Sequence, residues 1–471
     1  MRDFRRRDVL SILGAGAAAA LRGLGRSSLA AEEETMPRPK RPNILFLVSD
    51  DQRYDTIHAL GNDLIRTPNL DSLVRKGTAF TLPYIMGSTQ GAVCICSRSM
   101  LFTGRTLWRS PDRCPQPLPL WPQLLREAGY ATFATGKWHN GPASFHRCFA
   151  DGGSIFFGGM HDHSRVPVYD YDPSGRYPKG KNRIGGKFSS ELFSDAAIEF
   201  LRRHQEDKPF LLYVAYTAPH DPRMAPPRYA SLYPPEKIPL PPNFLPQHPF
   251  DNGELKVRDE LLAPFPRTPE VVRKHIADYY AMITHLDEHV GRVLAALGET
   301  GHAGDTLIFF AGDNGLALGQ HGLFGKQSVY EHSVRVPLLV AGPGVPQGAR
   351  RDAFVYLYDL FPTICEMVGL PIPGTVEGKS LVPVLAGRTK QVRDSVFAAY
   401  RDCQRMVRDE RYKLIRYSVR GEKRTQLFDL ATDPWETRDL SAEAAHADRR
   451  AALEARLREW QKATGDKLAL E

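Results

Sequence analysis

Residues 43–51, NILFLVSDD, decide the fold of this chain. The apolar run from Ile44 to Val48 is continuous, with no alternation of polar residues, and it stops abruptly at Ser49-Asp50-Asp51. Such a run predicts a strand buried on both faces, as in a parallel sheet. Polar residues directly after a parallel strand lie at its carboxyl end, where α/β sheets collect their ligands.

Similar runs predict four further strands, at residues 131–135, 210–217, 306–311 and 336–341. A helix is predicted from Val271 to Leu297, because apolar residues recur there at spacings of three and four, and Gly298 and Gly301 end it. Strands that alternate with helices predict an α/β sandwich, in which a large, mixed, mostly parallel sheet lies between helices. Polar clusters follow these strands as well, at Lys137-Trp138-His139, Pro219-His220 and Asp313-Asn314-Gly315.

Two later segments have a different character. Residues 219–269 hold 14 of the 37 prolines, which predicts a long surface excursion beside the site. Beyond residue 390, short strands and one charged amphipathic helix predict a small C-terminal α+β subdomain with a short antiparallel sheet. These strands are expected at 395–400, 404–408, 412–417 and 426–430, and the helix at 442–462. The predicted organisation is an export signal (1–30), a linker (31–41), a catalytic domain (42–389) and the C-terminal subdomain (390–471).

The composition is that of a soluble globular enzyme, with 471 residues, 42% of them hydrophobic and 25% charged. It excludes a disordered or collagen-like chain, and six cysteines in this length are too few for a disulfide scaffold. The formal net charge is +8, but residues 1–30 carry +4 of it. The remaining charge is too small and too dispersed for a nucleic-acid partner, which would require a concentrated basic stripe.

Residues 1–30 have the pattern of an export signal, with a basic start, an apolar run from Val9 to Ala20 and a small-residue end at Ser28-Leu29-Ala30. The pair Arg6-Arg7 resembles a twin-arginine signal, and an ordinary secretory signal is the alternative. We therefore expect an exported bacterial protein, periplasmic or secreted. We expect no stable membrane insertion, because no stretch reaches about 18 uninterrupted apolar residues. In an oxidising compartment four cysteines are possible disulfide partners, with the pairing open: Cys114, Cys148, Cys365 and Cys403.

The most specific motif is CICSRSMLFTGR at residues 94–105. Cys94 and Cys96 alone would indicate a reduced or disulfide-linked pair at a helix start. The whole pattern resembles the signature of the type I sulfatases of the alkaline-phosphatase-like superfamily, C-x-[P/A/S/C]-S-R followed by T-G-R. In that family a dedicated maturation enzyme oxidises the first cysteine to formylglycine (3-oxoalanine), an aldehyde. The resemblance therefore implies that Cys94 is the catalytic residue, and Cys96 stands where most relatives have proline or alanine.

A hard-metal site is predicted from Asp50, Asp51, Asp313 and Asn314, which offer only oxygen ligands. Taken singly, Asp-Asp more often caps a helix and Asp-Asn-Gly more often forms a turn. Their shared position after buried strands favours a metal, since gathered carboxylates repel one another unless a cation neutralises them. The resemblance implies that these four residues hold one divalent cation, with the modified Cys94 contributing an oxygen. Ca²⁺ is expected and Mg²⁺ is the alternative.

The resemblance also implies roles for five basic residues. Arg98 and Lys137 would hold the hydrated aldehyde, and His139 would take a proton from it. His220 and Lys326 would meet the sulfate and its leaving oxygen. The implied reaction is attack of the hydrated aldehyde on the sulfur of a sulfate monoester, protonation of the leaving alcohol by His220, and release of sulfate as the aldehyde re-forms. Isolated histidines and lysines are usually surface or satisfied core groups, so these roles depend on the resemblance.

The expected partners are a sulfated glycan or a small sulfate ester, together with a formylglycine-generating maturation enzyme. Export and a mild positive charge favour sulfated carbohydrate. The nearest alternative is a formylglycine-dependent phosphonate or phosphate monoester hydrolase, which would call for more positive charge or a second metal. A non-catalytic glycan-binding protein would lack one of the site positions, and none is missing. Residues 161–165 and the proline-rich excursion are either substrate-facing or solvated loops. The oligomeric state is not readable from the sequence.

Overall fold

The computed structural model describes residues 41–468. The predicted export signal, and the predicted linker up to residue 40, lie outside the described residues. Within residues 41–468, no helix combines the length and apolar character needed to cross a bilayer.

The described part of the chain contains fifteen strands. In chain order they are β1 (Asn43–Ser49), β2 (Gly77–Tyr84), β3 (Gly87–Ser88), β4 (Ala131–Lys137), β5 (Asp151–Phe156), β6 (Pro167–Val168), β7 (Arg183–Ile184), β8 (Phe210–Ala215), β9 (Thr306–Gly312), β10 (Leu338–Ala341), β11 (Ala349–Tyr356), β12 (Val396–Tyr400), β13 (Gln404–Arg408), β14 (Tyr412–Val419) and β15 (Glu422–Asp429).

The same residues form eleven α-helices, with short 3₁₀ turns between some of them. They are α1 (Pro68–Lys76), α2 (Val93–Thr103), α3 (Trp121–Glu127), α4 (Pro142–Cys148), α5 (Ser189–Arg203), α6 (Pro227–Ala230), α7 (Pro269–Glu299), α8 (Glu331–Val334), α9 (Leu360–Met367), α10 (Val382–Leu385) and α11 (Ala447–Thr464). The predicted long helix is α7, and the side chain of Thr268 caps its start. It continues through Gly298 and ends at Glu299, two residues beyond the predicted end at Leu297.

The main sheet has eight strands in the order β11-β2-β10-β9-β1-β8-β4-β5. Strand β1 lies in the interior of the sheet and runs parallel to both β8 and β9. Strand β10 is antiparallel to β9 and β2, while the other neighbouring pairs are parallel. The predicted mixed, mostly parallel sheet is therefore confirmed.

The continuous apolar run of β1 is buried on both faces of this sheet. Ile44, Phe46 and Val48 belong to one hydrophobic cluster, which helices α2, α3, α4 and α9 cover. Leu45 and Leu47 belong to a second cluster on the opposite face, covered by α1, α5 and α7. Because successive strand residues point to opposite faces, a sandwiched strand needs apolar side chains at every position.

The C-terminal part forms the predicted antiparallel sheet, in the order β15-β14-β13-β12-β3. Its last member, β3, comes from the segment just before α2 and pairs in parallel with the end of β12. Helix α11 packs against this sheet, and the side chains beneath it share a hydrophobic cluster with α2 and α9. The domain boundary at residue 389 stays a prediction.

The proline-rich excursion, residues 219–269, contains no strand but is more than a surface loop. Tyr229, Tyr233, Ile238 and Ala263 are buried in a third hydrophobic cluster, against α7. Proline removes backbone donors and so prevents ladder formation, but it does not prevent the side chains between the prolines from packing. The prediction of a purely surface segment was incomplete for this reason.

Candidate active site

The carboxyl ends of four neighbouring strands, together with α2 and the loop after β9, gather the ten predicted site residues. All ten are buried. They are Asp50 and Asp51 after β1, Cys94 and Arg98 on α2, Lys137 and His139 at the end of β4, His220 after β8, and Asp313, Asn314 and Lys326 after β9. The structure brings these residues together, and the roles given to them stay predictions.

Cys94 lies in the first turn of α2 and is 2% exposed. Its Sγ is 3.3 Å from His139 Nδ1 and 3.4 Å from Lys137 Nζ. Arg98 lies one helical turn further on, so both side chains project from the same face of α2. Burial raises the pKa of the Cys94 thiol to about 11, which makes the unmodified side chain a neutral and weak nucleophile at pH 7.

Three carboxylates of the site are each paired with a buried cation. The contacts are Lys137 Nζ to Asp50 Oδ2 at 2.5 Å, Lys326 Nζ to Asp51 Oδ1 at 2.8 Å, and Arg98 Nε to Asp313 Oδ2 at 2.8 Å. The basic residues therefore neutralise these carboxylates singly, and repulsion among the carboxylates is not by itself an argument for a metal. Burial would raise the pKa of Asp51, but His220 and Lys326 outweigh it and lower that pKa.

Two oxygen atoms of this cluster nevertheless fit a cation. Among the described side chains, Asp50 Oδ1 and Asn314 Oδ1 are buried without a hydrogen-bond partner, which is costly unless something else binds them. Ligand atoms of Asp50, Cys94 and Asp313 lie within 4.8 Å of one another. Burial and the neighbouring Asp50 raise the pKa of Asp313 to about 6, so Asp313 is the carboxylate whose charge the surroundings favour least. The donor set is dominated by hard oxygens, as Ca²⁺ and Mg²⁺ prefer.

The charge balance points the same way. Three paired carboxylates and three bases sum to no net charge, so the site without a metal has little attraction for an anion. A divalent cation would make the floor of the site strongly positive, which suits an anionic ester.

The backbone is held in an uncommon conformation where two site residues leave their strands. Asp51 has φ 66° and His139 has φ 61°, both in the left-handed region that non-glycine residues rarely adopt. Gly136, at φ 89°, precedes the second of these turns, and a Cβ there would lie 1.9 Å from the carbonyl oxygen of Ala215. Only glycine permits this close approach of β4 to β8. The turn then aims His139 at Cys94.

His220 is oriented from both ends of its ring. Its Nδ1 donates to the carbonyl oxygen of Asp221 at 2.8 Å, and its Nε2 lies 3.6 Å from Asp51 Oδ2. Burial lowers the pKa of His220 to about 4, against the opposing effect of Asp51. From the loop at 161–165, His163 Nε2 donates to the carbonyl oxygen of His220 at 2.9 Å. This part of the loop is therefore buried structure behind the site and does not face substrate.

The residues open onto a cavity of about 270 Å³. Four site residues lie at its floor: Cys94, His139, His220 and Lys326. Its walls are formed by Gly91, Ala92, Gly159, Met160, Val257, Arg258, Asp259 and Gln327. The walls thus come from the segment before α2, from the loops after β5 and β9, and from the proline-rich excursion. The excursion lies beside the site, as the sequence predicted.

Sequence reasoning missed Tyr279 of α7. Its hydroxyl donates to the carbonyl oxygen of Asp51 at 2.6 Å and accepts from the backbone N–H of Arg53 at 2.9 Å. Tyr279 therefore fastens the strained turn after β1 to the long helix. Its apolar spacing in α7 indicated only a core position, so the sequence held no separate signal for this contact.

All six cysteines are free thiols. The four proposed as possible disulfide partners are therefore unpaired in this structure.

The fold and the site together are those of a hydrolase of the alkaline-phosphatase-like class, with a buried cysteine beside a cluster of carboxylates that could hold a metal ion. The family model described as sulfatase matches residues 42–370, and the chain belongs to that family. A second model, described as the C-terminal part of N-sulphoglucosamine sulphohydrolase, matches residues 319–463. The recognition of the family from its motif is confirmed.

Among curated relatives, an N-acetylglucosamine-6-O-sulfatase of Bacteroides thetaiotaomicron is 27% identical, and the match covers 98% of this chain and 93% of the relative. An arylsulfatase of Clostridium perfringens is 29% identical over 85% of this chain and 90% of its own. An ulvan-active sulfatase of Formosa agariphila is 26% identical, over 92% of this chain and 83% of the relative.

Solved structures show the same fold. One, described as a complex with its substrate D-glucosamine-2-N,6-O-disulfate, superposes with a TM-score of 0.75 at 24% identity, over 91% of this chain and 99% of that one. A phosphonate monoester hydrolase of Agrobacterium radiobacter superposes with a TM-score of 0.72 at 22% identity, over 90% of this chain and 96% of that one. The fold is thus shared by both reaction classes, and membership of the sulfatase family makes this chain a sulfuric ester hydrolase. Sulfatases generally use a metal and a formylglycine.

Proposed function

We propose that this enzyme removes sulfate from sulfated carbohydrate, with Cys94 matured to formylglycine and one divalent cation beside it. The observation that carries the proposal is the position of Cys94 at the floor of the cavity, within 3.4 Å of His139 and Lys137. The carbohydrate class is supported by the names of relatives, which include an N-acetylglucosamine-6-O-sulfatase and an ulvan-active sulfatase.

We assign the cation to Asp50, Asp51, Asp313 and Asn314, with Ca²⁺ expected and Mg²⁺ the alternative. When present, the cation supplies positive charge to the oxygens of the ester, and the hydrated formylglycine supplies a hydroxyl nucleophile. The unpartnered oxygens of Asp50 and Asn314 support this assignment, and a maturation enzyme is required for the modification.

The basic residues bind and orient the ester. Lys137 and Lys326 are held as cations by Asp50 and Asp51, because these carboxylates raise the pKa of each lysine against the effect of burial. Arg98 is fixed by Asp313 and by the carbonyl oxygen of Lys137. Because these cations are already held in place, they do not have to reorient when an anionic ester enters the cavity.

The two histidines have opposite proton tasks. Burial and the cation of Lys137 hold the pKa of His139 well below its ordinary value, so its ring is neutral and can accept a proton at Nδ1 from the group at Cys94. His220 has its Nδ1 hydrogen committed to the carbonyl of Asp221, so Nε2 is the atom that would deliver a proton to the leaving oxygen. Burial holds the pKa of this ring near 4, so Nε2 takes up that proton only once the negative charge of the bound ester, together with Asp51, raises the pKa. The carboxylate of Asp51 stabilises the protonated ring.

The test is ion chromatography of anions released by the protein co-expressed with a formylglycine-generating enzyme. The substrates are a panel of sulfated sugars and of phosphate and phosphonate monoesters. We expect sulfate from at least one sugar, no release by Cys94→Ala, and full release by Cys365→Ala, which removes a buried thiol outside the site. Phosphate or alcohol release confined to the phosphate and phosphonate esters would overturn the proposal.

The cation is tested separately by thermal unfolding. Excess chelator should lower both the melting temperature and activity, and added Ca²⁺ should restore both. Asp50→Asn should show a much smaller response to Ca²⁺. An unchanged melting temperature in chelator, together with full activity, would remove the cation from this site.

We also propose that residues 1–30 direct export by the twin-arginine route, on the strength of Arg6-Arg7 and the apolar run that follows. Replacing both arginines with lysine should retain the protein in the cytoplasm, which fractionation of the cells would measure. Continued export of that variant would favour an ordinary secretory signal.

A further inference from the structure

Two arginines from different parts of the fold lie at or beside the cavity: Arg258 lines it, and Arg401 lies next to Gly91, which lines it. Arg258, from the proline-rich excursion, lines the cavity, and its side chain is 46% exposed. Its two Nη atoms donate to Asp221 at 2.6 and 2.7 Å, and its Nε donates to Asp259 at 3.0 Å. Most donors of Arg258 are therefore committed, and the three charged groups together carry a net negative charge.

Arg401 differs in this respect. It lies in the turn between β12 and β13, where its backbone N–H donates to the carbonyl oxygen of Ser88 at 2.8 Å. Its side chain is also 46% exposed, and its Nη1 is paired with Glu254 at 2.5 Å. Among the described residues, Glu254 is the one acceptor that this guanidinium bonds, so the donors at Nε and Nη2 stay available.

Gly91 connects Arg401 to the cavity. It forms part of the cavity wall, and a Cβ on it would lie 3.4 Å from Arg401 Nη2. No side chain at residue 91 separates the guanidinium from a molecule that lies across this wall. The pairing of β3 with β12 fixes this arrangement, because it joins the turn that carries Arg401 to the segment just before Gly91.

We infer that Arg401 is a specificity-determining residue, which binds a second anionic group of the substrate, outside the cavity that takes the ester. The group is a sulfate or a carboxylate, since a guanidinium matches both with parallel N–H donors. This inference rests on the proposed function. It makes polyanionic carbohydrate the preferred substrate, over a sugar that carries a single sulfate.

The experiment starts from the monosulfated sugar that releases sulfate fastest in the panel described above. It is compared with two derivatives, one with a second sulfate on the same sugar and one with a carboxylate on the neighbouring sugar. The quantity measured is the ratio of kcat/KM for each derivative to kcat/KM for the monosulfated sugar. We expect a ratio of about ten for at least one derivative, carried mostly by KM, since charge-assisted hydrogen bonds are of this strength. The derivative that gains identifies the anionic group.

Arg401→Ala should bring that ratio close to one, and Arg401→Lys should leave an intermediate ratio, because lysine keeps the charge but loses the planar donors. Glu254→Gln should keep or increase the ratio, since it removes the carboxylate that competes for the guanidinium. Arg438→Ala is the matched control, an exposed arginine paired with Glu443 that does not line the cavity. This control variant should show the same ratio as the wild-type protein.

If the wild-type protein shows no preference for either derivative, the inference is overturned and the proposed function stays intact. An Arg401→Ala protein with an unchanged ratio would also overturn the inference, as would a Glu254→Gln protein that loses the ratio as fully as Arg401→Ala. Absence of sulfate release from every sugar would count against the proposed function itself. Melting temperatures of all variants show whether a lost ratio reflects misfolding.

Discussion

Replacing Tyr279 with phenylalanine tests whether the hydroxyl of this residue holds the turn that carries Asp51. The side chain is fully buried, and its hydroxyl makes two hydrogen bonds to the backbone of that turn. Phenylalanine keeps the ring and its packing in α7 and removes only the oxygen. The effect of the variant is therefore confined to the two hydrogen bonds.

The magnitude follows from the groups left behind. The carbonyl oxygen of Asp51 and the N–H of Arg53 would both lose their partner in a buried turn. Leaving a buried polar group unpaired costs about 1–3 kcal/mol, so we expect a loss of about 2–4 kcal/mol in the free energy of unfolding. Activity should fall about 10- to 100-fold if Asp51 is a metal ligand as proposed, since this is the usual cost of removing a group that orients such a ligand.

The assay is urea unfolding in the presence and absence of Ca²⁺, together with sulfate release. Tyr280→Phe is the matched control, since the neighbouring hydroxyl only accepts one bond, from Asn62 Nδ2 at 3.1 Å, in a half-buried position. That variant should lose at most about 1 kcal/mol and keep its activity. Equal losses of stability and activity in the two variants would refute the role given to Tyr279.

Three further predictions concern other contacts. Gly159→Ala places a Cβ 3.0 Å from His139 Nε2, so the ring must shift by a few tenths of an ångström, and we expect kcat to fall about tenfold with little change in stability. Burial lowers the pKa of His248 to about 4 from an ordinary 6.5, so the unfolded chain binds more protons between these values. Stability should therefore fall as the pH drops from 6.5 to 4, by up to about 3 kcal/mol, and His248→Asn should reduce this loss. Arg267→Met should cost about 3–5 kcal/mol in urea unfolding, because it leaves the buried carboxylate of Glu260 without its ion pair.

Each of these has a control within the chain. Gly298→Ala, in α7 with no atom within 4 Å of the added Cβ, should leave kcat unchanged, and an equal fall in both glycine variants would contradict the first prediction. For His248, unfolding is compared at pH 7 and pH 4.5, and identical losses with and without the histidine would argue against the second. For Arg267, the added change Glu260→Gln should recover part of the stability, and no recovery would show that the lost ion pair is not the cause.

Five of the eight strands of the main sheet could be predicted, because they are continuous apolar runs that end in polar residues. Strands β2, β5 and β11 were missed, since glycine, threonine or charged residues interrupt their apolar residues. The antiparallel direction of β10 could not be predicted. Its run of apolar residues resembles those of the parallel strands, and its antiparallel direction is set by how the chain returns from the long loop after Asn314. Strand β3 was also missed, since two residues carry no periodicity and their pairing with β12 depends on contacts across some 300 residues of chain.

The residues in and around the site also fall into two groups, those that the sequence could predict and those that it could not. Residues at strand ends and in the motif around Cys94 could be predicted, because their chemistry is unusual for their position. Tyr279, Arg258 and Arg401 could not, because a tyrosine on a helix face and arginines in loops have ordinary explanations. The position of His163 behind the site was open for the same reason, and only the packed structure shows that its ring is used internally.

The pairing of β3 with β12 also determines when Cys94 is accessible while the chain is being synthesised. Cys94 is almost inaccessible in the folded protein, and the segment before it is joined to a strand that begins at Val396. A nascent chain that has not yet reached Val396 leaves the edge of β3 open and α2 without its cover from the C-terminal sheet. The proposed maturation enzyme therefore has access to Cys94 during synthesis, and it loses that access once the segment from Val396 onward has folded.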